Sequence, residues 1–264
     1  MSRRGIVVAC PQKYEQIWLQ TMETLRNEHG CNLPIEIWEI GQEISSPVKE
    51  KMAKLSDVTF KNVQDYSANP NHWKGFQVKV FALYHCAFDE PILCDADVSF
   101  YKSPDIIYED PNYIRTGAYF FKDLDSWTFR DLSLRGTSKF TSLVFYGKRK
   151  QFIQSLIPKK HNLFPKEWLY LYESNPPTAP VKEALQESGV VYMDKKRHAE
   201  SLRHIFAMNE NHPQTYQYVW GDKETFWLGC VMANQPFYFN EPSGFMHNEC
   251  LTHSYKNELF WKQK

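Results

Sequence analysis

Between Gly5 and Cys94, short apolar runs alternate with stretches of helical periodicity, and that alternation narrows the possible folds more than any other feature of the chain. Gly5-Ile6-Val7-Val8-Ala9-Cys10 carries no charged position on either side of a pleat, so it reads as a strand buried on both faces that opens onto a loop at Pro11. Tyr14 to Arg26 follows, with Ile17, Trp18, Met22 and Leu25 at helical spacing, and then a second strand over Leu33 to Trp38. A helix over Pro47 to Leu55 and a brief strand at Val58 to Phe60 come next. A helix over Gly75 to Phe88, with Phe76, Val80, Leu83, Tyr84 and Ala87 on one face, leads to the strand Pro91-Ile92-Leu93-Cys94. The repetition predicts an α/β domain with a mainly parallel central sheet flanked by helices, whose ligands bind beyond the carboxyl ends of the strands.

The second half is less regular. Asn112 to Phe121 reads as strand and loop, and Lys148 to Ile157 as a short helix. Asn175 to Pro180 reads as a loop that starts a helix at Val181, Gly189 to Met193 as a buried strand, and Lys195 to Met208 as a further helix. No repeat or low-complexity tract interrupts the chain. A single domain accounts for 264 residues, and a fold of this size buries roughly 75% of the surface its unfolded chain exposes.

Lys+Arg and Asp+Glu are equal at 31 each, which rules out a global field that would gather nucleic acid or an anionic membrane. Aromatic residues make up 16% of the chain; most fill the core, and the remainder offer flat faces suited to sugar rings or bases. No stretch approaches the ~20 apolar residues of a transmembrane helix, and Met1-Ser2-Arg3-Arg4 runs straight into the first strand. Six cysteines lie scattered without C-x-x-C spacing. The expectation is a soluble chain in a reducing, cytoplasmic setting, with a Golgi lumen reserved for the case that the chain is part of a longer protein.

The strand ending at Cys94 runs directly into Asp95-Ala96-Asp97, followed by Val98-Ser99-Phe100. Both carboxylates therefore stand at the edge of the core, and in extended backbone residues two apart point to one side. Two close carboxylates repel, and a divalent cation is the natural compensation. Oxygen donors select Mn²⁺ or Mg²⁺, which keep open positions for phosphate oxygens. For a third ligand the irregular stretches Met246 to Glu249 and Thr252 to Tyr255 offer His247 and His253, of which His253 is preferred.

Two further clusters carry polar residues into apolar surroundings. Gln186-Glu187-Ser188-Gly189 precedes a buried strand, where the glycine either lets backbone approach a ligand or caps a helix. Gly221-Asp222-Lys223-Glu224-Thr225-Phe226-Trp227-Leu228 is a helix start in which Asp222 suits the capping position and Glu224 the first turn.

Taken in order, five strings resemble the fungal Golgi α-mannosyltransferase family, and more distantly the glycogenin-like retaining transferases. They are Lys79-Val80-Phe81-Ala82-Leu83, Ile92-Leu93-Cys94-Asp95-Ala96-Asp97-Val98, Gly117 to Asp123, Glu187-Ser188-Gly189-Val190-Val191 with Asp194-Lys195, and Gly221-Asp222-Lys223-Glu224-Thr225-Phe226-Trp227. The resemblance covers about Lys79 to the C-terminus, and the last string is its most specific part. It implies a GT-A fold, Mn²⁺-dependent transfer with retention, GDP-mannose as donor and a glycan or glycoprotein acceptor. The organisation of the chain is read as a single domain with a donor half over residues 1–110, ending in the Asp-x-Asp, and an acceptor and catalytic half over 111–264. Residue by residue, the resemblance implies that Asp95 and Asp97 hold metal and donor ribose, with Lys79, Ala96, Ser188 and Gly189 as donor contacts. Glu187 and Ser188 would line the sugar pocket, and Asp222 would face the anomeric carbon. Asp222 and Glu187 are thus the catalytic candidates, and Gly221, Glu224 and Trp227 would border the acceptor or sugar. Two alternatives use the same residues: a UDP-sugar-dependent transferase and an inactive sugar-nucleotide-binding module. A nucleotidyltransferase fits less well, because Cys10-Pro11-Gln12-Lys13 is no glycine-rich phosphate loop.

Overall fold

The alternation predicted for the first hundred residues is realised in a computed structural model, which describes residues 2–124, 148, 151–156 and 186–264. Strands β1 (Arg4–Ala9), β2 (Ile35–Glu39), β3 (Val58–Asn62) and β4 (Glu90–Asp95) alternate with helices α1 (Glu15–Asn27), α2 (Ser46–Ala53) and α3 (Gln77–His85). β3, β2, β1 and β4 are mutually parallel, with Val8 facing Ile37 on one side and Cys94 on the other. β5 (Val98–Phe100) follows β4 directly, and α4 (Pro111–Thr116) leads into β6 (Ala118–Phe121). β7 (Glu187–Met193), α5 (Ala199–Glu210), α6 (His212–Thr215), α7 (Lys223–Met232) and β8 (Tyr238–Asn240) complete the main layer.

Among the described residues the large sheet has seven strands in the order β3-β2-β1-β4-β7-β6-β8. β7 runs antiparallel to both β4 and β6, while β6 and β8 are parallel, so the sheet is mostly but not wholly parallel. Alternate residues feed two separate cores. Val7, Leu93 and Val191 face one core, with Val80, Phe81 and Leu83 of α3, Leu202 and Ile205 of α5, and Phe226 and Trp227 of α7. Ile6, Val8, Ile92, Cys94 and Val190 face the other, with Trp18, Met22 and Leu25 of α1. Burial on both faces is why β1 and β4 are continuously apolar.

Three expectations need correction. Asn112 to Thr116 is helical: the Asp110 side chain accepts a bond from the Asn112 N–H at 2.7 Å, Pro111 opens the helix, and the left-handed Gly117 closes it. The stretches expected to be irregular near the C-terminus are strands. β9 (Phe245–His247), β10 (Cys250–Tyr255) and β11 (Glu258–Gln263) form with β5 a second sheet in the order β5-β11-β10-β9. Its two hairpins turn on left-handed pairs, Asn248-Glu249 and Lys256-Asn257, the backbone geometry of tight β-hairpins. Glu187 to Gly189 belongs to a strand, so the glycine caps no helix.

Of the helix expected over Lys148 to Ile157, Lys148 and residues 151–156 are helical. The loop at Asn175 to Pro180 and the helix from Val181 lie outside the described residues. All six cysteines are free thiols. Among the described residues no helix is long and apolar enough to cross a membrane.

Candidate functional site

The site grows outward from Lys79, which α3 delivers to the carboxyl end of β4. α3 is buried on most of its circumference, so a lysine in its first turn has water on almost no side and is only 7% exposed. Its ammonium lies 2.7 Å from Asp95 Oδ1 and 3.0 Å from Asp222 Oδ2. It also donates to the backbone oxygen and the Oγ of Ser188, both at 3.1 Å. Burial alone would push Lys79 down; the attraction of Asp222 and Asp95 more than reverses this and holds the ammonium above the usual lysine range. Ser188 Oγ in turn donates to Asp222 Oδ2 at 3.2 Å. Asp222 occupies the N-cap position of α7 but makes no side-chain cap bond, so its carboxylate serves the cluster rather than the helix.

Asp95 is the last residue of β4, and a turn at Ala96 and Asp97 precedes β5. The two carboxylates do converge, although the backbone between them turns rather than extending as the sequence spacing suggested. The Gln263 amide nitrogen donates to Asp95 Oδ2 at 3.2 Å and to Asp97 Oδ1 at 3.1 Å. Burial pushes the Asp95 carboxyl up to about 6 against the pull of Lys79. Asp97 is raised for the same first reason. Gly189 makes room here: a Cβ at that position would stand 2.8 Å from Gln263 Oε1 and 3.0 Å from the Trp261 ring. The close approach expected at Gly189 is therefore made by these side chains.

A second cluster lies beside the first. Lys223 at the start of α7 pairs with the buried Asp123 and lies 3.7 Å from Glu187 Oε2, while the Gly189 N–H donates to Glu187 Oε1 at 3.0 Å. Burial pushes Glu187 up to about 7 against Lys223. Across both clusters the carboxylates of Asp95, Asp97, Asp123, Glu187 and Asp222 outnumber the ammonium groups of Lys79 and Lys223. The excess of negative charge is of the kind that a bound cation offsets. Among the described residues no three His, Cys, Asp or Glu side chains gather into one metal-holding group. Asp95 and Asp97 thus offer two protein carboxylates, the number with which Mg²⁺-like ions leave positions for substrate phosphates.

Three expected site residues are placed otherwise. His253 is not gathered with the aspartates: it sits in β10, fully buried, stacked on Trp261 at 4.0 Å between ring centroids. Among the described residues neither of its ring nitrogens has a hydrogen-bond partner, and burial pushes it down to about 3. Trp227 has no exposed surface and belongs to the core under α3, so it presents no face to a sugar. The Glu224 carboxylate accepts the Trp220 N–H at 2.6 Å and braces the turn before α7. His247, the other histidine considered, lies in β9 on the far edge of the second sheet.

Gln263, Lys223 and Asp123 are participants that sequence reasoning missed. Lys223 and Asp123 lie inside strings already singled out, and their charge beside apolar residues was the available signal. Gln263 gives none, because only the pairing of β11 with β5, which sets Gln263 opposite Val98, brings it to the aspartates.

A family model described as "Mannosyltransferase putative" matches residues 3–246. Among curated proteins the chain is similar to alpha-1,3-mannosyltransferase MNT3 of Saccharomyces cerevisiae, 27% identical over 270 residues that take in 91% of this chain and 39% of that protein. It is also similar to "Putative alpha-1,3-mannosyltransferase MNN13" of Candida albicans, 30% identical over 196 residues, which cover 70% of this chain and 23% of the relative. The chain thus spans less than half the length of these relatives. Among solved structures, core-mannan synthase A (CmsA/Ktr4) of Aspergillus fumigatus in its Mn/GDP form has a similar fold, with a TM-score of 0.56 at 10% identity over 98% of this chain and 80% of that one. That likeness makes the fold a GT-A glycosyltransferase fold.

Proposed function

The chain belongs to the mannosyltransferase family whose model matches residues 3–246, and from that membership and the site geometry we propose that it transfers mannose from GDP-mannose to a hydroxyl of a glycan or glycoprotein, with retention. The observation that carries this reading is the Lys79 ammonium held between Asp95 and Asp222, with Asp97 beside Asp95. One end of that row is suited to a diphosphate and its ion, and the other to a reacting sugar.

Asp95 and Asp97 would hold Mn²⁺ or Mg²⁺. The ion, when bound, offsets the charge that develops on the departing diphosphate. A fold of the same type solved with Mn and GDP supports this choice of ion and donor base. Lys79 adds fixed positive charge next to that end and, pinned by four acceptors, requires little reorganisation as charge develops. The Ser188 hydroxyl and the Asp222 carboxylate border the sugar, with Asp222 facing the anomeric carbon. Glu187, whose carboxyl burial raises, would line the sugar pocket beside Ser188.

A donor screen tests the reading. Release of nucleoside diphosphate is followed with Mn²⁺ for GDP- and UDP-sugars, with and without α-mannoside acceptors. GDP-mannose is expected to give acceptor-dependent release, and Asp97→Ala to abolish it while leaving the unfolding transition intact. Turnover of a UDP-sugar alone would move the donor to the other nucleotide. Full activity of Asp97→Ala would remove the metal from the reaction.

A further inference from the structure

Phe76 is the residue least explained by packing. The sequence pattern groups it with Val80 and Leu83 on one apolar face, but it stands at the N-cap, ahead of α3, and is 68% exposed. Its setting is braced from both sides. Gly75 holds φ at +135°, a region that side chains rarely adopt. The buried Gln77 amide pins the same turn by donating to the backbone oxygens of His72 at 2.9 Å and Lys74 at 3.1 Å. Opposite, Gly221 turns with φ at +65°, and a Cβ there would rest 3.4 Å from the Phe76 ring. Glycine at 221 keeps that part of the ring uncovered, and Asp222 is the next residue.

A row of contacts runs from Asp97 through Gln263 to Asp95 and then through Lys79 to Asp222, and the residue before Asp222, Gly221, is the one whose missing side chain leaves the Phe76 ring open. The carboxylate pair stands at one end and the bare aromatic ring at the other. We propose that Phe76 is the floor of a saccharide subsite that takes a pyranose ring of the acceptor glycan. The apolar C–H face of a pyranose lies against an aromatic ring while its hydroxyls stay in water or reach carboxylates such as Asp222. A single exposed aromatic on a random surface position has no meaning of this kind; this one follows the left-handed Gly75 and faces the left-handed Gly221, whose chain neighbour is Asp222.

The inference rests on the proposed mannosyl transfer, and binding measurements separate the two. α-Linked mannobiose is titrated into the wild type, Phe76→Ala and Phe76→Trp, followed by ligand-observed NMR, with GDP and Mn²⁺ titrated in parallel. Phe76→Ala is expected to weaken the disaccharide about tenfold, and Phe76→Trp to hold it within about twofold, with nucleotide affinity equal in all three. Unchanged disaccharide affinity in Phe76→Ala overturns the subsite, as does absence of disaccharide binding in a wild type that binds GDP. Parallel loss of GDP in Phe76→Ala does the same, because it marks a general disturbance. A wild type that binds mannobiose through Phe76 but not GDP refutes the donor choice and leaves the platform standing.

Discussion

Lys79 Nζ lies 3.0 Å from Asp222 Oδ2, a contact that joins the first turn of α3 to the residue preceding α7 in a place where both side chains are nearly excluded from water. The same ammonium reaches Asp95 at the end of β4. A helix, the end of a central strand and a helix start are thereby fixed to one point.

Replacing Lys79 by Met leaves Asp95 and Asp222 facing each other without their shared cation. Breaking a buried pair by removing one partner costs about 3 to 5 kcal/mol. Lys79→Met is expected to lose about that much in urea unfolding near neutral pH. Asp222→Asn leaves Lys79 with Asp95 and should lose less. Equal stability of Lys79→Met and the wild type would show that the cluster does not hold these elements together.

At the proposed ion site proton and dication would compete for the same oxygens on Asp95, whose carboxyl burial raises to about 6. Mn²⁺ affinity should therefore fall as pH drops through about 6, by about tenfold at pH 5. The carboxyl also acts on folding. A raised carboxyl binds its proton more tightly in the folded chain, so in chelator this group favours folding at low pH, and its contribution is lost as pH rises from about 4 to about 6. The rise in Tm on adding excess Mn²⁺, compared at pH 5 and pH 7.5, measures the effect. A larger rise at pH 5 would contradict it.

His253 works in the opposite sense. It is buried without a polar partner among the described residues and pushed down to about 3, so between about 3 and 6.5 the unfolded chain takes up a proton that the folded chain refuses. Stability carried by the neutral ring is whole above about 6.5 and drains away as the medium becomes more acidic. His253→Phe keeps a flat ring against Trp261 and removes the titration. Relative to the wild type it should gain about 2 kcal/mol on going from pH 7.5 to pH 5. Urea unfolding at the two values decides, and a constant difference between the proteins would refute the assignment.

The architecture from β1 to β4 was legible because each of its elements announces itself locally. Buried parallel strands are uniformly apolar, and the acidic pair interrupts such a strand where polarity is costly. Lys79, Ser188 and Asp222 were visible as polar residues inside apolar strings, and the structure brings them together. The second sheet was not legible. Its strands turn on Asn248-Glu249 and Lys256-Asn257, where no glycine marks the left-handed positions, and its polar and apolar residues alternate weakly. Gln263, which depends on that sheet, was lost with it. Trp227 and Glu224 were misplaced because a string of residues on one helix start was read as one surface, whereas the helix sends Trp227 to the core and turns Glu224 back onto Trp220. Helix direction, not proximity in sequence, decides what a residue can touch.

The row of contacts from Asp97 to Asp222 draws on α3, β4, the turn before α7 and β11, segments that meet only when both sheets have closed. No contiguous fragment of the chain contains it. Recognition of a ligand there and completion of the tertiary structure are one cooperative event, so a donor nucleotide that binds the row should slow global unfolding and retard amide exchange far beyond its own neighbours, reaching strands it never touches.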